Sequence, residues 1–99
     1  VQLNYDGTSK KINYSFINGN PQQVEAGIKL YMYYKSSDGF EYSNHIVNMY
    51  KDLTAGQKYS DEFDLSDTEN ANKATKYELV INFNNEEYGS SSSSISVKV

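Results

Sequence analysis

The chain has 99 residues, 37% of them apolar and 14% aromatic, with nine lysines, no arginine and a net charge of −4. That length sets one domain, residues 1–99, and the acidic, arginine-free composition excludes a nucleic-acid partner, because phosphate binding needs clustered cations. No apolar run approaches the roughly 18 residues of a membrane span, so no membrane insertion is expected, and the absence of cysteine excludes a disulfide framework.

Turn chemistry divides the chain into strand-like segments. Residues 1–5 alternate and stop at Asp6-Gly7, a strong turn signal. Ile12, Tyr14 and Phe16 alternate next, until Asn18-Gly19-Asn20-Pro21 ends that segment. Val24–Lys35 is the clearest element: Val24, Ala26, Ile28, Leu30, Met32 and Tyr34 fall on one parity. Glu25, Gly27, Lys29, Tyr31, Tyr33 and Lys35 fall on the other. Side chains alternate between faces along a strand, so one face is buried and the other wet, as in an antiparallel sheet.

Ser36-Ser37-Asp38-Gly39 turns the chain into a return strand over residues 40–50. There Ile46 and Tyr50 share one parity and Val47 and Met49 the other, which suits a bulge or an edge position. Residues 53–56 read as a turn. Tyr59, Phe63 and Leu65 share a parity broken by Asp61, and residues 67–74 read as a loop. Asp67 or Thr68 is placed to cap a short helical turn over 69–73. Tyr77, Leu79, Ile81 and Phe83 alternate cleanly, residues 84–89 form a hairpin loop, and Ile95, Val97 and Val99 close the last strand. About seven short strands with no ordinary helix predict an all-β, immunoglobulin-like sandwich of antiparallel strands. Val24–Lys35 and the strand around 76–84 are expected at its centre, with Ile28, Leu30, Met32, Leu79, Ile81 and Phe83 as core.

Chemistry-bearing groups are sparse. His45 is the single histidine and reads as a solvated strand residue, since no cysteine or motif joins it. Asp61, Glu62, Asp64, Asp67 and Glu69 could offer oxygens to calcium, but alternation splays Asp61 away from Glu62 and Asp64. Pairs of acids suited to glycoside hydrolysis arise by chance among 13 carboxylates. The sequon at Asn13-Tyr14-Ser15 lies in mid-strand, and the serine run 90–94 reads as a polar hairpin arm that keeps an edge strand soluble. No catalytic residue, cofactor or metal is expected, and the chain is not read as an enzyme.

The tyrosines carry the functional colour. Tyr31 and Tyr33 occupy the wet parity of the long strand, and Tyr42 on the return strand is expected near them across the turn. A tyrosine face suits protein contact or sugar stacking, because tyrosine adds area at low entropic cost.

The segments 12–18, 30–39, 53–56 and 77–83 together resemble the extracellular bacterial immunoglobulin-like modules known as FxLYD or CARDB-like domains. Leu53-x-x-Gly56-x-x-Tyr59 is also similar to the fibronectin type III turn whose tyrosine forms a tyrosine corner. That resemblance implies an accessory or adhesive module with no catalytic residues. Cysteine-free sandwiches rich in Ser, Asn, Tyr and Lys fit surface proteins of Gram-positive bacteria, so an extracellular or cell-surface location is expected. The start at Val1, directly in a strand, is read as a module cut from a longer chain. The expected partner is a protein or a neighbouring domain of that chain; the alternative is a carbohydrate-binding module using exposed tyrosines.

Overall fold

The structure, a computed structural model, describes residues 1–87 and 89–99. Seven strands follow in order: β1 (Gln2–Asp6), β2 (Lys11–Ile17), β3 (Val24–Lys35), β4 (Glu41–Leu53), β5 (Lys58–Asp64), β6 (Ala74–Asn85) and β7 (Gly89–Lys98). One antiparallel sheet runs β1-β2-β5 and the other β4-β3-β6-β7. They pack face to face as the expected all-β sandwich of seven antiparallel strands, and the two cleanly alternating strands, β3 and β6, are indeed interior. The chain changes sheet at 18–23, 54–57 and 65–73. β4 stays beside β3 because a tight turn joins them: Gly39 takes φ 87° and its N–H donates to the Ser36 carbonyl at 3.0 Å. Of the expected 84–89 hairpin loop, Tyr88 lies outside the described residues.

Ile28, Leu30 and Met32 of β3 and Leu79 and Ile81 of β6 are fully buried, facing Leu3, Ile12, Tyr14 and Phe16 of the smaller sheet. Each such aliphatic side chain contributes about 1.5–3 kcal/mol by leaving water. Phe83 corrects the expected core, for it is only half-buried. It meets Phe16 edge-on at 5.9 Å, near the end of β2, and lies between Ala26 of β3 and Ser91 of β7, a small and a polar neighbour. Its β7 side is lined by serines, which leave part of the ring uncovered.

The mixed pattern of β4 has one cause. Leu30 pairs with Val47, but the next β3 residue, Tyr31, pairs with His45, leaving Ile46 as an extra residue in a bulge. One inserted residue flips the parity, so Val47, Met49, Lys51 and Leu53 share the inner side with Asn44 and Tyr42. β4 is also an edge strand. It runs further than expected, and Leu53 is a fully buried strand residue paired with Val24, not part of the turn.

Asn18, the buried polar residue of the core, locks one end of the sandwich. Its Nδ2 donates to the carbonyls of Gln22, Leu53 and Thr54 at 3.0, 3.1 and 3.0 Å, and its Oδ1 accepts from the Asn20 N–H at 3.0 Å. Its backbone joins the same turn, with N–H donating to Gln57 O and C=O accepting from Gly56 N–H. A buried amide is tolerated only when bonded in this way. At the other end, the loop before β6 holds a single 3₁₀ turn, Ala71–Lys73, entered from Asn70 at φ 67° with no side-chain cap. Neither Asp67 nor Thr68 caps it: Thr68 already sits in a turn, donating its N–H to Leu65 O and accepting from Ala71 N–H. Asparagine tolerates the left-handed backbone needed there.

Tyr59 makes no tyrosine corner of the fibronectin kind. Its hydroxyl contacts Asp61 at 3.4 Å and the Met49 sulfur at 3.8 Å, within β5 and across to β4. Tyr14 and Tyr77 are instead the deeply buried tyrosines, and neither hydroxyl has a hydrogen-bond partner among the described residues. Burial pushes the Tyr77 hydroxyl up to about 12. It raises Tyr14 further, with the charge of Asp61, its ladder partner, adding to the effect.

Candidate functional site

The outward side of β3 sets the chemistry of one whole sheet face. Paired residues on neighbouring strands point to the same side, so the ladder writes this face in rows. Tyr33 lies between Ser43 and Lys76, and Tyr31 between His45 and Glu78. Lys29 lies between Asn48 and Val80, and Gly27 between Tyr50 and Asn82. β7 extends these rows with serines and Lys98.

Within the rows the aromatic groups are already engaged. The Tyr33 hydroxyl donates to Glu78 Oε1 at 3.0 Å, a diagonal contact, and Lys76 Nζ stands 4.5 Å from the Tyr33 ring centroid. The bond to Glu78 raises the Tyr33 hydroxyl above its ordinary value, with partial desolvation adding to it. Tyr31 meets His45 edge-to-face, at 6.3 Å and 86°. Both tyrosines are half-buried by these neighbours.

Tyr50 is the exposed ring of the face, with 65% of its surface open to solvent. It leans on Gly27, where an added Cβ would stand 3.3 Å from its Cε1. A glycine inside a strand marks such close approach, and an aromatic neighbour covers the bare backbone. Alternation alone does not single out Tyr50; its signal is a mid-strand glycine opposite an aromatic residue, visible only once the β3–β4 register is known.

Tyr42 does not join this face. The register pairs it with Tyr34, on the opposite side of the sheet from Tyr33. The two rings sit 6.0 Å apart at 30°, and the Tyr42 hydroxyl donates to Asp38 Oδ2 at 2.8 Å across the hairpin turn. The expected trio is therefore a pair, Tyr31 and Tyr33, joined by Tyr50.

The other polar groups fall apart as separate, local contacts. Glu62 forms a surface ion pair with Lys11 at 3.5 Å, and Asp64 accepts the Ser66 N–H at 2.9 Å. Asp61 turns to the inner side, opposite Tyr14. Among the described residues, no three His, Asp or Glu side chains gather as metal ligands. At the bulge of β4 an open cleft of about 540 Å³ is lined by Tyr31, Asn44, His45, Ile46, Thr68 and Glu69, among others. No helix of the described residues is long and apolar enough to cross a membrane.

Compared with protein-family models, curated proteins and solved structures, the chain matches none.

Proposed function

We propose that this domain is a non-catalytic structural or adhesive module of a secreted or cell-surface bacterial protein, of the FxLYD or CARDB-like kind, and that it makes protein contacts through the outer face of β4-β3-β6-β7. The observation that carries this reading is the concentration of Tyr31, Tyr33 and Tyr50 on that outer face, where none is needed for the core. Tyrosine is enriched at protein interfaces because it offers large, stiff, amphipathic area. Serine and asparagine neighbours supply a polar rim that stays soluble when the face is free. The partner is a protein or an adjoining domain of the parent chain.

A glycan-binding reading has one observation in its favour: the cleft at the bulge sets Tyr31 among Asn44, His45 and Glu69, groups able to bond sugar hydroxyls. The ring geometry favours the protein reading. Sugar stacking needs open, parallel ring faces, whereas Tyr31 meets His45 edge-on and Tyr33 is covered by Lys76 with its hydroxyl committed to Glu78.

Arrays of glycans and of extracellular proteins, probed with the wild-type domain, test the choice. Binding to a protein that is lost in Tyr50→Ser and Tyr31→Ser is the expected result. A glycan signal that vanishes in Tyr31→Ala and Tyr33→Ala would replace the protein reading with the second.

A further inference from the structure

A cavity of about 340 Å³ lies away from the tyrosine face, at the end of the sandwich where the β1–β2 turn, the 65–73 connection and the start of β6 meet. That is the lower range of small-molecule sites and room for roughly ten waters. Its apolar wall is made by Tyr5 and Tyr77, whose rings pack 5.3 Å apart, together with Leu65 and Ala74. Ser66, Thr68 and Asn72 bring hydroxyl and amide groups to its rim.

Two features set it apart from a crevice between loops. First, Lys10 is the one charged side chain lining it, in a chain with 13 acidic residues against nine lysines. Lys10 is held there at φ 56°, a left-handed backbone unusual for lysine, while its carbonyl accepts the Leu65 N–H at 2.8 Å. Second, Tyr77 is fully buried beside the cavity and its hydroxyl has no hydrogen-bond partner among the described residues. An unpaired buried hydroxyl costs stability, and such costs persist where a ligand redeems them.

We propose that this cavity is a binding site for a small organic anion with an apolar body, seated against Tyr5 with its charged head between Lys10 and the Tyr77 hydroxyl. The head supplies the acceptor that Tyr77 lacks and pairs with the Lys10 ammonium. Because the hydroxyl is closed off when the site is empty, entry displaces part of the 66–73 segment, whose own backbone bonds are a few isolated turns. The site is independent of the tyrosine face, so either can fail without the other.

Phenylacetate is the probe, followed through backbone amide shifts of the labelled domain. Saturable shifts at Lys10, across 65–74 and at Val99 are expected. The neutral analogue phenylacetamide should bind about fivefold or more weakly, as should phenylacetate to Lys10→Gln and Tyr77→Phe. Tyr77→Phe should also melt at a higher temperature without ligand, because it deletes the unbonded hydroxyl. The proposal is overturned if phenylacetate gives no saturable shifts, if phenylacetamide binds equally well, or if Lys10→Gln binds as wild type. A lower melting temperature for Tyr77→Phe would equally overturn it, by revealing a structural partner for the hydroxyl.

Discussion

The two outer faces of the sandwich use the same antiparallel scaffold for opposite chemistry. On the three-stranded sheet three rows read Gln2–Ser15–Ser60, Asn4–Asn13–Glu62 and Asp6–Lys11–Asp64, all polar or charged, and the row of Ile17 and Lys58 adds one exposed aliphatic side chain. On the four-stranded sheet, the rows centred on β3 carry Tyr31, Tyr33 and Tyr50 among His45, Lys76 and Glu78. Both faces carry polar and charged groups, and only one adds aromatic area to them. Solvation alone is satisfied by the first composition; the second adds stiff aromatic area that solvation does not require, which is what the proposed contact role rests on.

The comparison presumes one rigid frame beneath both faces, and Asn18→Ala strikes at that frame. It leaves the carbonyls of Gln22, Leu53 and Thr54 without their donor, for an expected loss of about 3 kcal/mol. Urea unfolding measures it, and a loss below about 1 kcal/mol would mean that water replaces the amide and the lock is not structural. Alkali is the next strain on the frame. Tyr14 and Tyr77 have hydroxyls raised above the ordinary tyrosine value, Tyr77 to about 12. A raised folded value means the unfolded chain loses its protons first. Stability is therefore fully present below about pH 10 and falls as pH rises from there toward 12 and beyond. Thermal melts at stepped pH should show this fall, and Tyr14→Phe together with Tyr77→Phe should flatten it.

Smaller changes separate the faces themselves. Tyr33→Phe removes the bond to Glu78 on the aromatic face and should cost about 0.5–1.5 kcal/mol. Glu78→Gln should lower the Tyr33 hydroxyl toward its ordinary value, read by tyrosine ring shifts against pH. Lys11→Gln breaks the exposed ion pair with Glu62 on the polar face and should cost less than about 0.5 kcal/mol. Equal costs for Tyr33→Phe and Lys11→Gln would erase the energetic distinction between the faces.

What could be read from the sequence follows how local each cause is. The interior strands β3 and β6 announce themselves because unbroken alternation is a property of the strand alone. β4 does not, since the extra residue Ile46 flips the parity midway and the bulge exists only against Leu30 and Tyr31 of the partner. The side that Tyr42 takes is hidden for a related reason: the pairing of Lys35 with Glu41, fixed by the hairpin turn, decides which way it points. Phe83 looks like core by pattern, but its β7 neighbour is Ser91, a pairing the strand alone does not disclose. Asn18 reads as a turn residue, while two of the carbonyls it bonds lie 35 and 36 positions along the chain.

The central claim is that contacts run through the aromatic face, and lysine cross-linking of the protein on its producing cells tests it most directly. Lys29 and Lys76 stand on that face, while Lys11 and Lys58 stand on the polar one. Cross-links to a partner protein should come from Lys29 and Lys76 and be lost in Tyr50→Ser. Cross-links concentrated on Lys11 and Lys58 would contradict the account.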